Sequence, residues 1–390
     1  MKAPLRMVWI TFVSLSLVVR SAVADASDLR IDVQTRLEGL RETYGFPGAT
    51  AAYVTAHGEV HALSVGLSDV EAGIPMTPET RMLAASIGKT IWGALSLALE
   101  ADGLISRSDL VSEYLGDEPW FGRVPNAGDM TVGHLLTHTS GLPDHVHMDG
   151  VAAELMAMGR AASFDPVNLV SFVFDEPALF EAGTAWGYSD TGYILLGLVL
   201  EAATNERVFE LAAARFLDPL GLTATAPSNT PTLEDIAVGY TSGENPFGLA
   251  PRTVDVGGRL TWNPVVEWTG GGFASTSADL ARWGHALFSG NAKDTEYLSA
   301  LLEGVSVHPD APDVFYGAGV AIFRETLHGS VYGHGGWIPG YVSSLRHYAD
   351  HNLTIAFQIN SDVGVVNDST DLVPAIEAAL AQLLIGALDR

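Results

Sequence analysis

The spacing of hydrophobic positions changes along the chain, and the changes mark out the elements. Between residues 27 and 44, Leu29, Val33, Leu37 and Leu40 recur at helical spacing, and Gly45-Phe46-Pro47-Gly48 ends the run. Two β-rich runs, Ala49 to Ala56 and Glu59 to Leu67, flank His57-Gly58 and predict a hairpin. From Ser86 to Ala101 the pattern is helical and apolar nearly all round, with Ile87, Ile91, Trp92, Leu95, Leu97 and Leu99, so this helix is expected to be buried. Residues 105–270 carry helical patterns near 131–138, 168–175, 191–203 and 206–216 joined by Gly and Pro turns, which predicts a mostly helical region. A helix near 277–288, three β-rich runs at 315–323, 341–348 and 352–360, and a last helix over 371–387 complete the chain. The β-rich pieces thus lie at both ends. They predict an α/β fold of the α+β type: one antiparallel sheet from residues 25–85 and 272–390, flanked by helices, with a mostly helical insertion over 86–271.

The first 24 residues follow a different logic. Lys2 and Arg6 precede an apolar run from Met7 to Val19, and Ala22-Val23-Ala24 comes just before Asp25. This is the layout of a cleavable secretory signal over residues 1–24, leaving a single domain over 25–390 and a periplasmic or secreted location. The apolar run is too short to span a bilayer, so no stable membrane insertion is expected after cleavage. The full chain has a formal charge of -26, and loss of the leader, which carries Lys2, Arg6 and Arg20 but no acid, makes it more negative. Such a charge repels phosphate backbones and anionic lipid, which argues against nucleic acid as a partner. There is no cysteine, which excludes disulfides, thiol nucleophiles and zinc–thiolate sites.

The local chemistry starts at Ser86-Ile87-Gly88-Lys89. A spacing of three places hydroxyl and amine on one helical face, and Lys89 is one of only three lysines in the chain. A buried ammonium must be paired or lose its proton, and a lysine with a lowered pKa is a base beside a potential nucleophile. The plainer alternative is a serine helix cap followed by a lysine that reaches solvent. Tyr188-Ser189-Asp190 falls on a loop entering the helical run at Thr191, where a tyrosine suits proton transfer or is simply half-buried beside an Asp cap. Tyr332-Gly333-His334-Gly335-Gly336-Trp337 reads as strand and turn, with glycines that permit close backbone approach to a ligand or merely make the turn.

Taken in order, Ser-x-x-Lys, Tyr-Ser-Asp and His-Gly-Gly match the three active-site elements of the penicillin-recognising enzymes. The chain resembles the branch of the serine β-lactamase and penicillin-binding protein family that holds class C β-lactamases, D-alanyl-D-alanine carboxypeptidases and related esterases. Further likeness lies in Thr131 to Leu142, Gly192 to Gly197, Pro219 to Leu222 and Gly270 to Thr276. The resemblance implies a β-lactamase/transpeptidase-like fold and an acyl-enzyme on Ser86. Lys89 and Tyr188 would manage the proton, and the backbone N–H groups of Ser86 and Trp337 would hold the oxyanion. Asp190, His334, Gly335 and Gly336 would support or bind substrate, and no cofactor is implied.

Three positions depart from the family's usual pattern. Asp190 replaces an Asn whose amide donates to substrate, and a carboxylate there favours a protonated Lys89, shifting base catalysis toward Tyr188. His334 replaces a common Lys, and Gly335 a hydroxyl residue, which weakens a site for a substrate carboxylate. The expected substrate is therefore an ester or small amide. The alternative is a D-alanyl-D-alanine carboxypeptidase or D-amino-acid peptidase with weak β-lactamase activity.

Two other classes compete. His134 and His138, four apart, with Asp144, His145 and His147 nearby, have zinc-like spacing but lack the Glu of the familiar metalloprotease motif; no metal is expected. A non-catalytic binding protein on the same fold is the outside alternative. No Gly-x-Ser-x-Gly elbow is present.

Overall fold

The computed structural model describes residues 13–160, 164–242, 245, 247–289, 295–365 and 369–388, with side chains from residue 29 onward except at Leu155, Met158, Thr295 and Glu296. The expected leader falls partly outside this range: residues 1–12 are not described, and from Val13 the chain runs directly into helix α1, Val13–Tyr44. Among the described residues no helix is long and apolar enough to cross a membrane. The strands, in chain order, are β1 Gly48–Val54, β2 Val60–Asp69, β3 Ile74–Pro75, β4 Met82–Leu83, β5 Ala226–Pro227, β6 Phe273–Ser275, β7 Val305–Ser306, β8 Val314–Tyr316, β9 Ala321–Thr326, β10 Gly329–Ile338, β11 Tyr341–Tyr348 and β12 Leu353–Ile359. The other long helices are α2 Gly88–Ala101, α3 Asp190–Thr204, α4 Ser277–Phe288 and α5 Leu372–Leu388.

The main sheet runs β3-β2-β1-β12-β11-β10-β9-β8-β7, antiparallel throughout. The N-terminal hairpin joins the C-terminal strands where β1 pairs with β12, Ala49 opposite Ile359 and Val54 opposite Thr354. This is the single sheet expected from the β-rich ends. Its central strands are covered on both faces, so alternation sorts side chains between two cores instead of between core and water. Ala49, Ala51 and Tyr53 of β1, with Leu353, Ile355, Phe357 and Ile359 of β12, pack with Val33 and Leu37 of α1 and Ile376, Leu380 and Leu384 of α5. Ala52, Val54 and Ala356 face the opposite core, which also takes Trp92 and Leu95 of α2, Ile194 to Leu196 of α3, and Leu280 and Trp283 of α4. On that face Thr50 Oγ1 lies 2.7 Å from Ser277 Oγ, and Gln358 Nε2 donates to Met82 O.

Two expectations need correcting. The run over 86–271 is helical only as far as Leu217. Beyond it the described chain holds just β5 and a short 3₁₀ segment, Pro264–Gly270, because Pro219, Gly221, Pro227, Pro231, Gly239, Pro251 and Gly257-Gly258 interrupt any regular ladder. The His334 segment, read as strand and turn, is strand throughout: it lies inside the ten-residue strand β10, paired with β11 from Val331 to Ile338.

The segment around Ser86 is gripped from two sides. The small sheet β4-β6-β5 delivers the chain to Ala84, whose N–H donates to Phe273 O at 2.8 Å and whose carbonyl accepts from Ser343 Oγ at 2.8 Å. A 3₁₀ turn, Ala85–Ile87, then leads into α2, so the helix itself begins at Gly88 and not at Ser86. Against one side lies Gly336 of β10, where an added Cβ would sit 2.5 Å from Ala84 O and 3.1 Å from Ala85 Cβ. Against the other lies Gly271, where a Cβ would come within 2.6 Å of Ala85 C. These approaches need glycine. Replacement of Gly336 by Ala is expected to push the Ser86 turn off β10 and lower stability by about 1–3 kcal/mol, measured as a reduced urea midpoint; an unchanged midpoint would show that the contact is slack.

Candidate active site

Ser86 sits where a residue in an uncommon conformation presents it. Ala85, immediately before it, has φ +51°, a left-handed geometry that a non-glycine residue adopts at a cost of about 1–3 kcal/mol and that concentrates at functional sites. The Ser86 hydroxyl caps no helix. Its Oγ lies 3.1 Å from Lys89 Nζ and 2.9 Å from Tyr188 Oη, so the structure brings the three expected residues into one hydrogen-bonded cluster.

Lys89 does not reach solvent; its side chain is 0% exposed. The ammonium contacts Asp190 Oδ1 and the Gly270 carbonyl as well as Ser86, and stands 4.9 Å from the centre of the Tyr188 ring and 5.2 Å from that of Tyr193. Burial drives its pKa down, but the Asp190 carboxylate and the Tyr188 oxygen outweigh it, and the net shift is upward. Lys89 is therefore an ammonium at neutral pH. Burial also raises the Tyr188 pKa, against the pull of Lys89, which keeps the phenol protonated. A hydroxyl that accepts one proton while passing on another suits this site better than a free lysine base.

Tyr188 is fixed by its surroundings. Ser189 caps α3 through Gly192 N–H, and the Ser189 N–H donates to His138 Nδ1 at 3.2 Å. The His138 ring, from the Thr131–Leu142 segment, lies 4.2 Å centre to centre from the Tyr188 ring. His134 is used elsewhere, its Nδ1 accepting from Thr131 N–H in a capping box. Among the described residues no cluster of three metal-binding side chains occurs, and the two histidines of the zinc-like spacing serve as a cap and a ring platform.

His334 is 6% exposed and does not face the cavity beside Ser86. Its Nδ1 donates to Gly335 O at 2.5 Å, which leaves Nε2 to accept from the Tyr316 hydroxyl at 2.8 Å. Burial, then Lys89, pushes its pKa down to about 3, so it is neutral and supports the aromatic cluster of Tyr188, Tyr316 and His138 instead of meeting a substrate anion. Gly335 and Gly336 contribute backbone only, Gly336 by its close fit to Ala84. Trp337 lines the cavity; its Nε1 donates to Asp362 Oδ2 at 3.2 Å, and its ring stacks with Phe247.

The cavity beside Ser86 is partly open to solvent, with a volume of about 120 Å³. Ser86, Asp190, Glu267, Asn263 and His145 supply its polar wall, and Val146, Met156, Phe247, Trp262, Val266 and Trp337 most of the apolar one. Among the described residues, neither Lys89 nor any other cation is on that wall. Sequence reasoning missed Glu267, Tyr316 and the Gly270 carbonyl, and named Asp144 only beside the zinc-like histidines. Burial raises both carboxylates to about 7, with Asp190 adding to the shift of Asp144 and backbone N–H groups opposing it in both.

These perturbed groups make stability depend on pH. Burial holds His145 and His347 down to about 4 and His334 to about 3. As pH falls below about 6.5 the unfolded chain protonates these rings before the folded one does, and each removes about 1.4 kcal/mol per pH unit until its folded pKa is passed. Asp144 and Glu267 act oppositely, contributing stability that is complete below their unfolded pKa and lost as pH rises through about 7. The histidines dominate the acid side, because His138 adds to them. The urea midpoint is expected to fall between about pH 6 and about pH 4.5; a constant or rising midpoint would contradict these assignments.

Comparison with known proteins agrees with this geometry. The model of the family described as Beta-lactamase matches residues 33–380. Penicillin-binding protein 4* of Bacillus subtilis (strain 168) is 26% identical over 369 residues, which cover 92% of this chain and 76% of that protein. Esterase EstB of Burkholderia gladioli is 32% identical over 182 residues, 44% of this chain and 45% of the esterase. Among solved structures, a D-stereospecific amidohydrolase from Streptomyces sp. superposes with a TM-score of 0.70 at 28% identity, covering 82% of this chain and 90% of that one. The chain belongs to the β-lactamase family of serine hydrolases.

Proposed function

We propose that the protein hydrolyses esters or small amides that carry no obligatory carboxylate, through an acyl-enzyme on Ser86. The observation that carries this reading is the cluster in which Ser86 Oγ meets Tyr188 Oη at 2.9 Å and Lys89 Nζ at 3.1 Å. Ser86 Oγ bonds to the carbonyl carbon. Tyr188 takes the serine proton as it hands its own to the leaving group, and water then releases the acyl group by the same route in reverse. Lys89, kept charged by Asp190, stabilises the negative charge that develops on these oxygens. The backbone N–H groups of Ser86 and Trp337, brought together by the fit of Gly336 against Ala84, are the oxyanion donors, each worth about 3 kcal/mol in such sites.

The substrate class follows from the wall of the cavity. It presents carboxylates and no cation, and His334 is turned away and neutral, so nothing there matches the carboxylate of a β-lactam. The second reading, a D-amino-acid amidase or peptidase of the D-alanyl-D-alanine carboxypeptidase type, is favoured by the likeness to the D-stereospecific amidohydrolase. The leader-like layout of residues 1–24 supports a periplasmic or secreted enzyme.

Intact-protein mass after brief exposure to an activated ester tests the chemistry. A transient acyl adduct is expected on the native protein and none on Ser86→Ala, with kcat/KM down by at least about 1,000-fold in the variant. Penicillin is expected to give little or no adduct. Equal turnover by Ser86→Ala would overturn the assignment.

A further inference from the structure

Glu267 lies on the cavity wall with Ser86, yet the chemistry assigned to Ser86, Lys89 and Tyr188 leaves it without a role. The part of the substrate that meets it follows from the proton path. Tyr188, which protonates the leaving group, is not on this wall, whereas Ser86, Asp190 and Trp337 are. The leaving group therefore departs toward Tyr188, and the cavity receives the acyl half. Its lining of Val146, Phe247, Trp262, Val266 and Trp337 suits an apolar acyl side chain.

Charge then narrows the class. The charge of Asp190 is met by Lys89. Glu267 has no ion-pair partner among the described residues; its Oε2 accepts from Gly272 N–H at 2.9 Å, and no donor among them bonds Oε1. Its place is built in: an added Cβ on Gly271 would overlap Glu267 Oε1 and crowd the Ala85 carbonyl group. The site also adjoins the reacting centre, since Gly270, three residues on, gives its carbonyl to Lys89 and packs against Asp190. The neighbouring His145 is neutral and already bonded to Thr191. Glu267, an acid that burial holds partly protonated near neutrality, lines the same cavity as Ser86 among apolar walls and without an ion-pair partner, and a cation supplied by the ligand would complete it.

We propose that Glu267 binds a protonated amine on the acyl group, so that the preferred substrates are esters or amides of aminoacyl groups with an apolar side chain. This rests on Ser86 as nucleophile and adds the identity of the acyl group.

The test compares kcat/KM for D- and L-phenylalanine p-nitroanilide with that for the 3-phenylpropanoyl analogue, which lacks only the amine, in the native protein and in Glu267→Gln. The native protein is expected to prefer the amine of at least one enantiomer by roughly 10- to 100-fold, the range of a charge-assisted hydrogen bond, and Glu267→Gln to bring the ratio close to one. A native ratio near one overturns the proposal without recourse to any variant, as does a ratio that survives in folded Glu267→Gln. Equal loss on both substrates with acyl-enzyme accumulating also overturns it, assigning Glu267 to deacylation instead. Undiminished turnover by Ser86→Ala would instead sink the nucleophile on which the proposal rests.

Discussion

The ion pair between Lys89 and Asp190 is the constraint around which the site is arranged. A fully buried ammonium loses several kcal/mol of hydration, and here that loss is offset by a carboxylate, the Gly270 carbonyl and the Ser86 hydroxyl converging on one nitrogen. Each of these partners comes from a different part of the chain: the 3₁₀ turn before α2, the first residue of α3, and the glycine run before β6. Holding the pair together therefore fixes how these segments sit around Ser86. Removal of one member leaves the other charged and unpaired in the interior, so the pair constrains structure and chemistry at once.

In the proposed mechanism the pair also divides the labour of catalysis. With Lys89 held as a cation, the proton traffic falls to Tyr188, whose ring rests on His138 and whose neighbours His334 and Tyr316 are closed to solvent and hydrogen-bonded to each other. Ser86 stands between two glycine contacts. Gly336 brings β10 against one side of its turn, Gly271 brings the Glu267 segment against the other, and the positive φ of Ala85 aims the residue between them. Backbone approach at these distances leaves no slack for side chains, which explains why glycine occupies both flanks.

Much of this was legible in the sequence because it was local or periodic. The i,i+3 spacing of Ser86 and Lys89, the loop position of Tyr188, the helix over 277–288 and the terminal β-rich runs all followed from spacing alone, and the acidic replacement at Asp190 already implied a charged lysine. What escaped depends on distant segments. Nothing around Gly270 marks its carbonyl as a lysine ligand 181 positions away, and Glu267 looks like any acid in a polar loop until the cavity encloses it. His334 offered a substrate contact by its place in the motif, whereas the Tyr316 hydroxyl draws its ring inward. The helical reading of residues beyond Leu217 failed because scattered apolar residues there pack around Pro and Gly turns, where periodicity carries little information.

Direct observation of the Lys89 proton would test the central claim. The chain has only three lysines, Lys2, Lys89 and Lys293, so an NMR pH titration of lysine labelled at the side-chain nitrogen gives few signals, and Lys293→Arg assigns one of them. The Lys89 signal should remain that of an ammonium beyond the ordinary lysine range, and should titrate at lower pH once Asp190 is replaced by Asn. A Lys89 midpoint near or below neutrality in the native protein, or one unmoved by the Asp190 replacement, would contradict the account and return the role of base to the lysine.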